Sequence, residues 1–270
     1  MNPLNISTII GCGLPEQEQL PLIRQAGFDG FFAADTNADS LKLCAGMARQ
    51  LGLVFETVHA PFKETNHIWE PKEAGEEYLS SLKELVDVCS QIQVGKCIVH
   101  VTMGNIVPEV SQVGLDRFGQ LCDYAKAREV CICFENLEPH PHLEAVMAYM
   151  DDSYHGFCWD IGHNICYTPQ TDWMKKYGRR LKCLHVHDNK GVTQPGNIDY
   201  RDDLHLLPFD GSLDWDWFAR TLREYHYEGP ITLEVSNQGK EEYQKMPLEQ
   251  YLTAAYDRGC RIREKLESGL

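Results

Sequence analysis

The sequence lacks an apolar run that approaches the roughly 20 residues of a membrane-spanning helix, so we expect no membrane span. Its amino terminus has no basic segment and only a short apolar run, which is not typical of a secretory signal peptide. It contains no CxxC pair, which argues against a cysteine zinc ribbon or a thioredoxin-type redox motif. We therefore expect a cytoplasmic protein whose 11 cysteines are reduced.

Positive charge is also scarce. The chain carries 25 Lys and Arg residues against 40 Asp and Glu residues, which gives a formal net charge of −15. Broad binding of nucleic acid needs many basic side chains to neutralise phosphates, so this balance argues against nucleic acid as a partner. No glycine- and serine-rich linker or low-complexity tract divides the 270 residues, and we expect one domain over residues 1–270.

Eight short β-rich runs are present, separated by longer segments in which apolar residues recur at helical spacing. The runs cover residues 6–10, 30–34, 53–58, 96–101, 130–134, 156–159, 181–186 and 230–235. Eight alternating units at this length predict an α/β fold, a single-domain (β/α)8 TIM barrel. A doubly wound open sheet is the alternative, but the segment after the first run, Gly11-Cys12-Gly13, lacks the third glycine of that fold's usual phosphate loop.

Ionisable side chains stand at the ends of six consecutive runs, the third to the eighth. They are His59, His100, Glu135, Asp160 with His163, His185 with His187, and Glu234. In a TIM barrel the carboxyl ends of the strands meet at one face, where the active site is built. Side chains two positions apart on a strand share a face, so Glu135 shares its face with Cys133, and His185 shares its face with Cys183. If these faces point inward, thiols fill the interior of the barrel and ionisable groups lie at its open, carboxyl-terminal end.

Several carboxylates at one buried mouth need compensating charge. They would repel one another, and one or more would stay protonated unless a cation lay among them. Mixed carboxylate and imidazole ligands favour Mn²⁺, Zn²⁺, Co²⁺ or Fe²⁺ over Ca²⁺, and Mg²⁺ stays among the candidates. A single His or Glu at a strand end is more often structural. Their coincidence at six strand ends predicts a divalent metal cofactor.

Four segments together resemble the xylose isomerase-like TIM barrels, and most closely the sugar phosphate isomerase/epimerase family, which is related to ketose 3-epimerases and endonuclease IV. The segments are Phe134-Glu135-Asn136, Trp159-Asp160-Ile161-Gly162-His163, His185-Val186-His187-Asp188-Asn189-Lys190 and Leu233-Glu234. The resemblance extends from residue 6 to about residue 255. In the ketose 3-epimerases, Glu, Asp, His and Glu at the ends of strands five to eight hold a metal. By position these ligands are Glu135, Asp160, His185 and Glu234.

The resemblance implies a metal-dependent isomerase or epimerase that moves a proton next to the carbonyl of a small sugar or sugar phosphate, through an enediolate. Glu135 and Glu234 are then the candidate acid and base. The family pattern of His, two residues and an acid is matched by His185 with Asp188, which favours His185 over His187 as the metal ligand. The candidate substrate-binding residues are His163, His187, Lys190 and Phe62.

Two other functions stay open. Further residues match the additional ligands of endonuclease IV and permit more than one metal; they are His59, His100, His163, Asp203 and His205. A phosphodiesterase acting on abasic DNA is therefore the second choice, although the loops after the first two strands lack a basic cluster. An inosose-type sugar dehydratase on the same metal site is the other alternative. The sequence also leaves the oligomeric state open, and a homo-oligomer is possible. The final predicted helix, residues 248–266, can pack on the barrel or on a partner subunit.

Overall fold

The computed structural model describes residues 1–9, 11–194 and 198–268. Its core is an eight-stranded parallel barrel in which each strand pairs with its neighbours in the chain and β1 also pairs with β8. The strands are β1 (Leu4–Ser7), β2 (Gly30–Ala33), β3 (Val54–His59), β4 (Lys96–Val99), β5 (Cys131–Glu135), β6 (Gly156–Asp160), β7 (Leu181–His185) and β8 (Ile231–Leu233). A bridge between Val186 and Leu233 joins β7 to β8. The predicted (β/α)8 TIM barrel is confirmed.

Helices follow the strands and cover the outside of the barrel. Those in the described residues are α1 (Glu16–Ala26), α2 (Ala38–Leu51), α3 (Glu73–Ile92), α4 (Gln112–Lys126), α5 (His142–Tyr149), α6 (Ile161–Cys166), α7 (Trp173–Tyr177), α8 (Trp215–Glu224), α9 (Glu241–Gln244) and α10 (Leu248–Ser268). Local sequence sets their ends: the Asn37 side chain accepts hydrogen bonds from the first turn of α2, and Gly52, with φ of 66°, ends that helix. Within the described part of the chain, no helix is both long and apolar enough to cross a membrane.

The first strand lies earlier in the chain than the predicted run 6–10. It covers Leu4–Ser7, and Ile10 lies outside the described residues. The strand ends here because the Gln19 side chain forms hydrogen bonds with both backbone groups of Ile9. Its Oε1 accepts from the Ile9 N–H at 2.7 Å, and its Nε2 donates to the Ile9 carbonyl oxygen at 3.2 Å. A side chain thus replaces the neighbouring strand as the partner of this peptide.

Thiols line the inside of the barrel, as the alternation of strand faces predicts. Cys133, Cys158 and Cys183 form a buried cluster with Ile98, separate from the main core between the strands and the helices. All 11 cysteines are free. Small sulfur side chains fill the narrow interior, so the ionisable residue that follows on the same face of each strand is raised to the mouth.

The final helix packs on the barrel of its own chain. Helix α10 lies against α1, α8 and β8, and buries Tyr251, Leu252, Ala255 and Ile262. At Gly259 a Cβ atom would stand 3.3 Å from Leu4, so the helix closely approaches the amino-terminal strand. Of the two placements open from the sequence, the structure has the one on the barrel.

Candidate metal centre

Four side chains from the ends of β5, β6 and β7 and from just after β8 converge at the mouth of the barrel. Glu135, Asp160, His185 and Glu234 each offer one ligand atom, and these atoms all lie within 4.8 Å of one another. The Nδ1 atom of His185 is 3.2 Å from Oε1 of Glu135 and 3.0 Å from Oε2 of Glu234. Three buried or half-buried carboxylates around one imidazole carry excess negative charge, so this donor set fits a divalent cation. We call it the central group.

A second group shares Glu135 with the central group. The Nε2 atoms of His59 and His100 lie 3.1 Å apart, and they lie 3.3 and 3.2 Å from Oε2 of Glu135. The Nδ1 atom of His59 is 2.8 Å from the carbonyl oxygen of Ala60, a contact that assigns its proton to Nδ1 and leaves a lone pair on Nε2. Burial lowers the pKa of His100, which favours neutral imidazole, the form that binds metals. These residues form the outer group.

A third group stands on the other side of the mouth and contains His163, His187, Asp203 and His205. The Nε2 atom of His187 is 3.1 Å from Oδ1 of Asp160, and its buried Nδ1 has no hydrogen-bond partner. His205 donates from Nδ1 to the carbonyl oxygen of Glu234 at 2.9 Å, which leaves Nε2 free to face Asp203 at 3.3 Å. In metal-binding histidines, one ring nitrogen typically bonds to a protein acceptor and the other nitrogen binds the metal. We call these residues the loop group.

Charge is balanced inside these groups by protons on imidazoles. Burial acts to raise the pKa of Glu135, but the charge of His185 and a hydrogen bond from His100 hold it well below the usual value. Burial opposes protonation of His205, but Asp203 raises its pKa to about 10. The Glu135 carboxylate is therefore ionised and the His205 imidazole carries a proton, which a cation can replace.

Local sequence positions the ligands. Asp160 ends β6 and also accepts a hydrogen bond from the His163 backbone N–H at 2.6 Å, so it caps α6. The Asn136 side chain bonds to both the N–H and the carbonyl of Asp160, at 2.9 and 2.8 Å, and ties the end of β5 to that of β6. Glycine at position 162 leaves room for the His187 ring, because a Cβ atom there would lie 2.0 Å from Cε1 of His187.

A cavity of about 930 Å³ opens above the three groups. Phe62 lines it and stacks on His100, with ring centroids 4.8 Å apart. Glu138 also lines it and is only 4% exposed. The Oε1 atom of Glu138 accepts from the backbone N–H of Gly104 at 2.9 Å and from the hydroxyl of Tyr200 at 2.7 Å. Its Oε2 is buried and has no hydrogen-bond partner in the protein.

The structure brings all nine predicted metal positions into the three groups. His187, predicted to bind substrate, lies with them in the loop group and is fully buried. His163 and Phe62 line the cavity, whereas Lys190 is exposed and is not among the described residues that line it. Glu138 and Tyr200 were missed. Glu138 had one signal, its place in the loop after β5, three residues after Glu135. Tyr200 reaches the cavity only through the fold of the long loop after β7.

Comparison with known proteins agrees with this architecture. A family model described as "Xylose isomerase-like TIM barrel" matches residues 20–256. The chain is 24% identical to the uncharacterized protein y4fM of Sinorhizobium fredii, over 93% of this chain and 88% of that protein. It is 26% identical to inosose dehydratase of Clostridium botulinum, over 45% of each chain.

Solved structures share the fold at low sequence identity. The IolI protein with a bound zinc atom superposes with a TM-score of 0.80 and 16% identity, covering 98% of this chain and 99% of that one. D-psicose 3-epimerase of Clostridium cellulolyticum H10, solved with D-tagatose, gives a TM-score of 0.79 and 12% identity over the same shares, 98% and 99%.

Proposed function

Because the chain belongs to the xylose isomerase-like TIM barrel family, we propose that it is a divalent-metal-dependent enzyme that isomerises or epimerises a small sugar. The observation that carries this proposal is the central group, in which Glu135, Asp160, His185 and Glu234 offer ligand atoms within 4.8 Å of one another. Its composition suits Mn²⁺, Zn²⁺, Co²⁺ or Mg²⁺. The outer and loop groups are proposed to hold further cations.

In the proposed reaction, a proton is removed from the carbon next to a carbonyl group and is then returned to the substrate. A cation held by the central group supplies a Lewis acid for the charge that develops on the substrate oxygens. Glu234 is the better placed base, because 20% of its side chain is exposed, whereas the side chain of Glu135 is fully buried. Proton removal by one carboxylate and return by the other, from the opposite face, gives epimerisation. A single carboxylate that serves two adjacent carbons gives isomerisation.

Other residues of the chain bind the substrate and exclude water. Phe62 and Leu137 provide apolar surface in the cavity wall, against which the carbon-bound hydrogens of a sugar can pack. His163 belongs to the loop group and also contacts the central group, with its Nδ1 3.3 Å from Oε1 of Glu135. In the proposed enzyme it orients the substrate or an additional cation beside the reacting carbons.

Exchange of carbon-bound hydrogen with solvent tests this function. The metal-loaded protein is incubated in D₂O with a panel of pentose and hexose ketoses, and the loss of each proton signal is followed by NMR. We expect deuterium at a carbon next to the carbonyl of at least one sugar, and no exchange after removal of the metal by a chelator. Absence of exchange across the panel, with every divalent ion tried, would contradict the proposal.

Dehydration is a second candidate, favoured by the likeness to inosose dehydratase. It begins with the same proton removal and ends with loss of a hydroxyl group from the neighbouring carbon, so the same carboxylates serve both reactions. Mass spectrometry distinguishes them, because a dehydratase yields a product lighter by one water.

Cleavage of abasic DNA is a third candidate. It is supported by the presence of the central, outer and loop groups, and a plasmid-nicking assay tests it.

A further inference from the structure

Four thiols form one cluster inside the barrel. The members of the cluster are Ile98, Cys133, Cys158 and Cys183, with Cys131 packed against them. Cys158 lies next to the central group, because its sulfur is within 4.8 Å of ligand atoms of Glu135 and His185. Cys131 is the first residue of β5 and therefore lies at the opposite end, on the floor of the barrel where the strands begin. Soft sulfur donors thus extend from the oxygen and nitrogen donors at the mouth down to the floor.

Two of these thiols contact each other at the floor. The sulfur atoms of Cys131 and Cys133 are 3.8 Å apart, and both side chains stand on the same face of β5. The Cys131 thiol is 3.0 Å from the carbonyl oxygen of Tyr154, to which it donates. Cys131 is half-buried and Cys133 is buried, so solvent reaches the two thiols through Cys131. We call Cys131 and Cys133 the floor pair.

The spacing of the floor pair suits a bridging ion better than a direct bond. A disulfide needs sulfur atoms about 2.05 Å apart, and Cα atoms two positions apart on a strand are separated by ~6.6 Å, near the upper limit that a disulfide accepts. An ion bound to both sulfurs at about 2.3 Å, the length of a zinc–thiolate bond, spans 3.8 Å with a sulfur–metal–sulfur angle of about 110°. This angle is close to the tetrahedral value, so the two thiols can bind one ion where they stand.

The charges around the floor pair favour a monovalent ion. Lys96 stands beside Cys131, because the two residues pair across β4 and β5, and its ammonium group is 3.3 Å from Glu56. Lys182 donates to the carbonyl of Ser153 at 2.8 Å, and its charge acts on Cys131. Two lysines and one glutamate carry one net positive charge. That charge offsets the single negative charge of two thiolates with a monovalent cation.

We infer that the floor pair, Cys131 and Cys133, binds one soft monovalent cation, Cu⁺, at the end of the barrel opposite the three metal groups. Sulfur ligands select Cu⁺, whereas carboxylate ligands favour harder cations. Binding forms two copper–sulfur bonds and releases the two thiol protons to solvent, with no change of oxidation state. The inference goes beyond the proposed function, and neither depends on the other.

Competition for Cu⁺ tests the inference. The full chain is titrated anaerobically with Cu⁺ against a colorimetric Cu⁺ chelator, with Mn²⁺ in excess to load the carboxylate and imidazole groups at the mouth. We expect one equivalent of Cu⁺ to bind, and the copper X-ray absorption spectrum to show sulfur neighbours. A first shell of nitrogen or oxygen atoms alone overturns the inference, as does failure to bind Cu⁺.

Cys131→Ser removes one sulfur at a half-buried position with little change in side-chain size. We expect it to weaken Cu⁺ binding by about 100-fold or more, because even a residue that only supports a metal ligand is worth about 10- to 100-fold. Cys260→Ser is the matched control, since Cys260 is also half-buried but lies on α10, outside the thiol cluster. Equal Cu⁺ affinity in the two variants contradicts the inference.

Protection from alkylation tests the same site without any substitution. The native chain is treated with iodoacetamide with and without one equivalent of Cu⁺, and the labelled positions are identified by mass spectrometry. We expect Cu⁺ to slow labelling of Cys131 about tenfold or more, because a metal-bound thiolate is a poor nucleophile. Cys12 and Cys260, the other half-buried cysteines, should label at unchanged rates. Bound Cu⁺ that leaves Cys131 unprotected would lie elsewhere and overturn the inference.

Discussion

The Nδ1 atom of His185 and the Oε2 atom of Glu234 lie 3.0 Å apart, across the place where β7 and β8 complete the barrel. The backbone closes at the same point, because Glu234 donates its N–H to the carbonyl of Val186 at 3.0 Å. Closure of the barrel and assembly of the central group are therefore one structural event. Residues about 50 positions apart in the chain come within contact distance only when the last strand is in place.

Two of the three carboxylates of the central group, Glu135 and Glu234, are expected to be essential for turnover. Glu234→Gln and Glu135→Gln keep the side-chain size but remove the charge and the basicity. Each should lower the rate of hydrogen exchange by about 100-fold or more, the usual contribution of a positioned acid or base. NMR exchange rates, with circular dichroism to confirm the fold, measure the effect. Glu144→Gln is the control, because Glu144 is exposed, pairs with Lys176 and is not among the described residues that line the cavity. Full activity in both active-site variants would contradict the assignment.

Gly162 is expected to be essential for the loop group. In Gly162→Ala the added Cβ would lie 2.0 Å from Cε1 of His187, so the imidazole must move. We expect a loss of stability of about 1–3 kcal/mol, measured by urea unfolding of the metal-free protein. Displacement of His187 should also weaken metal binding by the loop group about 10- to 100-fold, measured by competition with a chelator.

Gly46→Ala is the control for this substitution, because a Cβ atom at position 46 meets nothing within 4 Å. It lies inside α2, where alanine is favoured over glycine by roughly 0.5–1 kcal/mol, so stability should rise or stay constant. Unchanged stability and metal content in Gly162→Ala would show that His187 is not held where the loop group requires it.

Metal binding is expected to release protons. Asp203 raises the pKa of His205 to about 10, so this imidazole is protonated in the metal-free protein at neutral pH. A metal needs the neutral form, and each raised histidine pKa therefore lowers the apparent affinity until the pH rises past it. Affinity should increase between about pH 6 and pH 9, with roughly one proton or more released per metal ion. Titration calorimetry in two buffers of different ionisation enthalpy counts the protons, and a count of zero would contradict this electrostatic account.

Most thiols are expected to be unreactive in the folded protein. Cys12, Cys131 and Cys260 are half-buried, and the other cysteines are buried. Burial also raises the pKa of Cys44 to about 12, which leaves it protonated and a poor nucleophile. An aromatic disulfide reagent should label at most three thiols natively and all 11 after unfolding. Rapid native labelling of more than three would show that the thiol-lined interior opens to solvent.

The barrel could be predicted from the sequence because its signals are local. Each buried strand is a short apolar run between turn residues, and alternation along β5 and β7 correctly placed Cys133 and Cys183 inside the barrel. The carboxyl ends of parallel strands share one face, so Glu135 and Glu234 could be brought together without knowledge of any contact. The end of β1 was misplaced because the partner of Ile9 is a helix side chain, Gln19, which strand patterns do not reveal.

The cavity wall could not be predicted in the same way. Tyr200 reaches Glu138 from 62 residues away, through a loop with no periodic pattern. The free oxygen of Glu138 is visible only after the donors to its other oxygen are known. Contacts of this kind form only in the folded chain, so the sequence predicted a type of chemistry and left the substrate open.

One measurement tests the central claim most directly: anomalous diffraction from crystals of the full chain grown with Mn²⁺ or Zn²⁺. We predict an anomalous peak at roughly 2.0–2.2 Å from ligand atoms of Glu135, Asp160, His185 and Glu234 together. A map with no peak among these four side chains, at metal concentrations that saturate the protein in solution, would contradict the claim that they hold one cation.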